Sequence, residues 1–350
     1  MTVSTGQPTG KSGEVSDEEQ SSDGAIFSAY RRTQALVLIA SVVSAVIFWE
    51  VAARLGIPPI ARLEGSLIEQ AQVPLAFIAT YVLYFVAVAI GILIAGRSWF
   101  FAGIFSASVG LTALSIRCGP MRHVLFNAAA QGDTRQIFLR LVAEQCLIFV
   151  PVGLTWIYFW RKYSAGRRSA EPEEHDLALM GAGPTLGALF TQVAIMGLLV
   201  WLMSATDVKK QVTIAVFIGG FGGTSMGEYL FPNRDAARWY WLGPLVVGVV
   251  GYLAAFFHSS DWTIGSAQGA LANLAHPVPL DYAGAGIIGT LLGVWVGGDR
   301  PDIVFSMFGA MVGVVPSGQR LSKQLQKLDK PKSESKPLEK NEKSSPETSR

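Results

Sequence analysis

The feature that most constrains this chain is a series of apolar runs, each about twenty residues long and almost free of charge. A helix of that length crosses the roughly 30 Å hydrocarbon core of a bilayer at about 1.5 Å of rise per residue. Lipid offers no water to the backbone amides, so each segment must satisfy them internally as a helix. The sequence therefore predicts an all-α, polytopic integral membrane bundle.

Eight runs meet this length, and we predict about eight transmembrane helices, within a range of seven to nine. A ninth run, 302–317, is apolar but only about sixteen residues long. That length fits a short span, a re-entrant segment or a buried hairpin arm equally well. The eight runs cover residues 34–53, 74–96, 98–116, 137–160, 184–204, 211–231, 241–258 and 281–298.

Charged residues make up 15% of the chain, against about a quarter in an ordinary soluble domain, and many of them lie near the two ends. Segments rich in Ser, Glu, Lys and Pro hold too few apolar groups to offset the entropy of ordering. We therefore expect three regions: a disordered acidic tail over 1–30, a membrane domain over 31–318, and a disordered lysine-rich tail over 319–350.

The first 28 residues are rich in Ser, Thr, Gly, Asp and Glu, which is unlike a cleavable signal peptide. The first apolar run is thus predicted to stay in the mature protein, and we expect an integral protein of a bacterial inner (plasma) membrane. With a cytoplasmic N-terminus, the inner loops carry more Lys and Arg than the outer ones. The loop from His258 to Ala283 has neither, which favours the outer face.

Several classes of partner are disfavoured by composition. The net charge of +2 is a near-cancellation of two oppositely charged tails, so it does not indicate nucleic-acid binding. The two cysteines, Cys118 and Cys146, are too few for a disulfide framework and lack metal-ligand spacing. We predict no cofactor, and the expected partner is the lipid bilayer.

The C-terminal half of the membrane domain is rich in glycine, which has two interpretations. Small residues three or four apart let helix backbones approach closely, within the chain or in a homo-oligomer. Alternatively, residues 219–223 are an unwound stretch beside a binding site, as in the broken helices of transporters. The glycines are Gly219, Gly220, Gly222, Gly223, Gly227, Gly243, Gly248, Gly251, Gly284, Gly286, Gly289, Gly293, Gly297 and Gly298.

Ionisable residues within membrane segments are candidates for function, because burying a charge in hydrocarbon costs about 3 kcal/mol or more. Arg140 and Glu144 lie four residues apart in the fourth run, one helical turn from each other. We predict that they form an intramembrane polar pair, structural or functional. Glu228 lies near the end of its run, where water or a headgroup can solvate it.

Two groups of residues have the chemistry of catalytic or metal sites. His258 and Asp261 share a loop with His276 and Asp281, but a four-ligand zinc site needs tighter pairing, so no metal is predicted. The second group is the G-x-S-x-G string around Ser225, with His276 further along the chain and His123 four residues before Asn127.

That second group resembles the rhomboid intramembrane proteases, which have a serine in a glycine motif, a later histidine preceded by alanine and an H-x-x-x-N element. The resemblance implies an intramembrane serine protease. In that family the serine opens a membrane helix, whereas Ser225 lies late in its run, and Asn127 adjoins a polar stretch that cannot span. The resemblance covers three short strings, and no family is assigned on it.

Three functions remain open. The number of spans and the glycine-rich helices favour a transporter- or channel-like protein, as does an internal repeat at a shift of 112 residues. A non-catalytic membrane scaffold is the alternative, because the spans hold no charged pathway; an intramembrane enzyme, protease-like or acting on lipid, is the third. The repeat matches Phe105 to Phe217, Gly110 to Gly222, Thr112 to Thr224, Pro120 to Pro232 and Arg122 to Arg234.

Overall fold

The computed structural model describes residues 35–51, 66–69, 73–95, 100–132, 135–168, 182–206, 208–231, 236–258 and 271–299. Within these ranges every regular element is helical and none is a strand. The predicted all-α fold is therefore confirmed. The two tails and the ninth run, 302–317, lie outside the described residues.

Each of the eight apolar runs contains a helix, and one further short helix, α4, follows the third run. The helices are α1 (Ala35–Val51), α2 (Val73–Ala95), α3 (Phe100–Cys118), α4 (Met121–Ala130), α5 (Gln136–Arg168), α6 (Ala182–Met203), α7 (Lys209–Leu230), α8 (Leu242–His258) and α9 (279–299). Helix α9 starts as Pro279–Asp281, passes through a π-helical turn at Tyr282–Gly286 and continues as Ile287–Asp299. Short 3-10 turns lie at Leu67–Glu69, Ala236–Trp239 and Asn273–Ala275.

Among the described residues, five helices are long and apolar enough to cross a membrane: α2, α3, α5, α6 and α9. Helices α1 and α8 are apolar but shorter. Helix α7 has 22 residues, and its five glycines and its polar ends make it less apolar than its neighbours. The count of five is therefore a lower figure than the eight runs predicted from sequence.

The outer faces of the helices are apolar, which is the opposite of a soluble helical protein. Leu93 is 81% exposed, and Phe190 and Phe257 are each 74% exposed. A soluble domain rarely leaves large contiguous apolar surfaces in water. These surfaces are compatible with a membrane protein whose helices contact lipid.

Consecutive long helices run in alternate directions, as contacts between their ends show. We call end A the end where α3, α6 and α8 finish and α5, α7 and α9 begin. Three hydrogen bonds join these termini: Lys209 Nζ to Ser115 Oγ at 2.8 Å, Arg135 Nε to the Phe256 carbonyl at 3.2 Å, and Asn273 Nδ2 to the Trp201 carbonyl at 2.8 Å. At the opposite end B, Trp156 Nε1 donates to the Ala237 carbonyl at 3.0 Å.

Helix α7 lies between α6 and α9, and glycines set the spacing on both sides. A Cβ added at Gly219, Gly223 or Gly227 would lie 2.6–3.1 Å from a backbone carbonyl of α6. On the other side, a Cβ at Gly220 would lie 2.5 Å from the Gly286 carbonyl of α9. Close packing is thus confirmed, while the unwound stretch at 219–223 is wrong, because α7 is an unbroken α-helix.

Helix α4 was not expected from the apolar runs because it has only ten residues. Gly119, at φ +92°, turns the chain out of α3 in a backbone conformation that other residues rarely adopt. Met121, Val124 and Ala128 then form a buried stripe at helical spacing. A short amphipathic helix therefore packs one face on the core next to end A.

Candidate functional site

A buried ion pair joins the first residue of α7 to the first turn of α9. Lys209 Nζ lies 2.8 Å from Asp281 Oδ2. Asp281 is fully buried, and the Lys209 side chain is only 12% exposed. The pair is therefore shielded from bulk water. Ion pairs that are exposed to water contribute little to stability, so this pair differs from them.

The Asp281 carboxylate accepts four hydrogen bonds, two on each oxygen. Oδ1 accepts from Ser115 Oγ at 2.7 Å and from Thr213 Oγ1 at 3.0 Å. Oδ2 accepts from Lys209 Nζ at 2.8 Å and from the Val278 amide at 3.0 Å. Hydrogen bonds to a carboxylate are shorter and stronger than those between neutral groups. Three helices, α3, α7 and α9, therefore meet at one anion.

Local sequence explains why each charge lies where it does. Asp281 is in the first turn of α9, where the positive end of the helix dipole favours an anion. Pro279 can start that helix because the first residue of a helix needs no backbone N–H donor. The Asp281 carboxylate accepts a hydrogen bond from the Val278 amide. Lys209 opens α7, where the helix dipole disfavours a cation, and the Asp281 carboxylate lies 2.8 Å from its Nζ.

Immediately after Asp281, α9 departs from regular α-helical geometry. The π-helical turn Tyr282–Gly286 is wholly buried, and Gly284 packs against Thr112 of α3. Single π turns inside helices occur frequently at functional sites. The turn places a helix irregularity directly beside the buried charge.

Two buried tyrosines hydrogen-bond the segment that leads into α9. Tyr252 of α8 donates to the Pro277 carbonyl at 2.7 Å, and Tyr282 donates to the Leu274 carbonyl at 2.8 Å. Their rings meet edge to face at 6.4 Å between centroids. Both bonds hold the segment before α9 in place, so the position of Asp281 is fixed by α8 as well.

Glu144, one member of the predicted polar pair, is fully buried in α5. Its Oε1 accepts the Leu67 amide at 3.1 Å and its Oε2 accepts the Ile68 amide at 3.3 Å. Arg140, one turn earlier, is exposed. The structure thus adds partners for Glu144 that the helical spacing did not indicate, and pairing with Arg140 stays a prediction.

The residues of the protease-like set lie far apart. Ser225 is buried, and it lies about 24 Å along α7 from Lys209, towards end B. His276 lies at end A, where its Nδ1 is bonded to the Ser204 carbonyl. His123 and Asn127 belong to α4, which follows the end-A terminus of α3. The structure therefore does not bring the serine and the histidines together.

Glu228 lies near end B, partly buried beside Tyr240. Burial and the neighbouring Glu228 carboxylate raise the pKa of the Tyr240 phenol. One turn away, Gln192 Nε2 donates to Thr224 Oγ1 at 2.9 Å and to the Tyr240 carbonyl at 2.8 Å. This second polar cluster fastens the start of α8 to α6 and α7.

Among the described residues, no group of three His, Cys, Asp or Glu side chains has the arrangement of a metal site. His258 is exposed at the end of α8, and the Asp281 carboxylate forms an ion pair with Lys209. Asp261 lies outside the described part of the chain.

The sequence interpretation missed the pairing of Lys209 with Asp281, which are 72 residues apart. By sequence alone, each is a polar residue at the edge of an apolar run. One indirect signal was present in the sequence. Opposite charges precede the two glycine-rich helices, and helices that alternate in direction would place both charges at the same end of the bundle.

No protein-family model, curated protein sequence or solved structure matches this chain.

Proposed function

We propose that the chain is a polytopic plasma-membrane protein with eight membrane helices, α1–α3 and α5–α9. The exposed apolar faces of the helices and their alternating directions support this assignment. Helices α1, α7 and α8 count as spans because they run beside the five longer ones. A plasma membrane, such as the bacterial inner membrane, suits a helical bundle with cationic inner loops.

Within that class, we propose a proton-coupled transporter whose coupling group is Asp281. The observation that carries the proposal is the buried ion pair shared by three helices. Protonating Asp281 would cancel its attraction for Lys209 and leave a buried cation at the unfavourable end of α7. Proton binding is therefore linked to how α7 and α9 sit against each other, which is the linkage that coupled transport requires.

The repeat at a shift of 112 residues supports this class. It relates α3 to α7, and Ser115 near the end of α3 contacts Lys209 at the start of α7. The two helices therefore run in opposite directions, as inverted repeats in transporters do. The matched residues Thr112 and Thr224 lie on α3 and α7, respectively.

Proton coupling can be tested with purified chain in liposomes that enclose a pH-sensitive dye, under an imposed potassium diffusion potential. Liposomes with the native chain should change internal pH faster than empty ones, and the double variant Lys209→Met/Asp281→Asn should lose that difference. Glu50→Gln is the matched control, because it neutralises an exposed carboxylate on α1. Equal dye responses from native and empty liposomes would remove the proton-coupling proposal.

The alternative function is a membrane scaffold, which the glycine contacts of α7 favour. Its backbone touches α6 and α9 so closely that neither neighbour can slide without a clash. The glycines of α7 contact α6 and α9 of the same chain. A homo-oligomer that forms through glycine-rich helices stays a prediction. A silent liposome assay together with unaltered folding of the double variant would move the assignment to the scaffold.

Orientation is predicted separately. A single cysteine at Ser266, in a chain with Cys118 and Cys146 replaced, should react with an impermeant thiol reagent in whole cells. One at Ser164 should not, because it follows the cationic Arg161 and Lys162 at end B. The reverse labelling pattern would invert the topology and place end A in the cytoplasm.

A further inference from the structure

A second buried carboxylate binds a segment of the chain that belongs to no long helix. Glu144 is fully buried, and each of its carboxylate oxygens accepts one backbone amide from the 3-10 turn Leu67–Glu69. The Ser66 side chain lies beside this carboxylate. Two backbone amides of the turn are therefore bound by one side chain of α5 rather than by a helix or a strand.

The turn enters the bundle instead of lying on its surface. Ser66 and Leu67 are both fully buried, and Leu67 belongs to the hydrophobic core. The turn is bound by Glu144 near the start of α5, so it lies on the end-A side of the bundle, and α2 begins four residues after it. The amides of Leu67 and Ile68 are the first donors of a short helical turn, which have no partner within it. The Glu144 carboxylate supplies that partner.

We propose that Glu144 and the turn Leu67–Glu69 form a proton-sensitive latch at end A. The ionised carboxylate accepts both amides as charge-assisted bonds, which are roughly twice as strong as neutral ones. A protonated carboxyl loses that charge and turns one of its oxygens into a donor, which opposes an amide donor. Protonation therefore releases the turn, and the buried Leu67 becomes accessible.

Other titratable groups surround Glu144, and among the described residues only Glu144 accepts the two amides of the turn. Cys118 on α3 and Tyr252 on α8 lie within electrostatic range of Glu144, and both also lie within range of Asp281. Cys118 is in range of Lys209 and Arg117 as well. On its own helix, Arg140 is exposed one turn away. Cys118 and Tyr252 are therefore within electrostatic range of both the latch and the ion pair.

The test measures how fast a cysteine in the turn reacts with a thiol reagent in detergent-purified full-length chain. Leu67→Cys is placed in a chain with Cys118 and Cys146 replaced, and its labelling rate is divided by that of Ala205→Cys, an exposed site at the same end. The ratio corrects for the pH dependence of the thiol itself. Between about pH 8 and about pH 5, it should rise by up to about tenfold per pH unit, as expected for opening controlled by one proton.

Glu144→Gln supplies the second arm. Its ratio should be high at every pH and independent of pH, because the amide side chain has one acceptor and no titrating proton. A flat ratio with Glu144 present, or an equal pH dependence in Glu144→Gln, would overturn the latch. If the Gln variant cannot be purified, the pH profile with Glu144 in place decides alone. The readout is accessibility of the turn, so it is independent of whether the chain transports protons.

Discussion

Replacing Gly289 by alanine should reduce the yield of folded chain by about tenfold or more and lower its thermal unfolding midpoint. The added Cβ would overlap the Phe217 carbonyl oxygen and lie 2.8 Å from the Phe221 amide nitrogen. Both are backbone atoms of α7, which cannot retreat because Gly219, on its opposite side, touches α6. Overpacking of this kind costs about 1–3 kcal/mol and sometimes more. Fluorescence-detected size exclusion after heating measures both quantities.

Gly197→Ala is the matched control on the adjacent helix α6. A Cβ there meets nothing within 4 Å, and alanine favours a helix over glycine by about 0.5–1 kcal/mol. We therefore expect an unchanged or slightly higher midpoint. If Gly289→Ala and Gly197→Ala behaved alike, the close contact between α7 and α9 would be wrong.

The helices could be predicted from sequence because lipid leaves an apolar segment few choices of backbone structure. All eight apolar runs contain a helix, most with bounds within a few residues of prediction. Helix α4 was missed because ten residues are too short to register as a span. The start of α9 was placed two residues late, because Pro279 and the π turn lie outside the regular pattern. Eight membrane crossings stay a prediction.

The candidate site was harder to predict because its residues meet only through tertiary packing. Helical spacing relates Glu144 to Arg140, but it cannot indicate amides about 77 residues earlier in the chain. Lys209 and Asp281 likewise come together only because α7 packs against α9. The glycines on both helices indicate close packing without naming the partner helix. Glycine patterns therefore predicted the spacing, and the structure was needed to pair the charges.

Removing either member of the ion pair should destabilise the chain strongly. Asp281→Asn or Lys209→Met leaves one buried charge without its counterion, a change that typically costs about 3–5 kcal/mol. The double variant Lys209→Met/Asp281→Asn removes both charges, and the introduced amide oxygen can still accept hydrogen bonds from Ser115 and Thr213. We expect its unfolding midpoint in detergent to lie above that of either single variant.

Lys210→Met tests whether the effect belongs to the pair rather than to lost positive charge on α7. Lys210 is the next residue and is exposed, so its substitution should change stability by no more than about 0.5 kcal/mol. Residues that act as a unit give a double variant less damaged than the sum of the singles. A double variant as destabilised as that sum, or an Asp281→Asn midpoint equal to that of Lys210→Met, would show that the two charges do not depend on each other. The proposal that Asp281 is the coupling group would then be wrong, because a proton could bind there without changing the contact between α7 and α9.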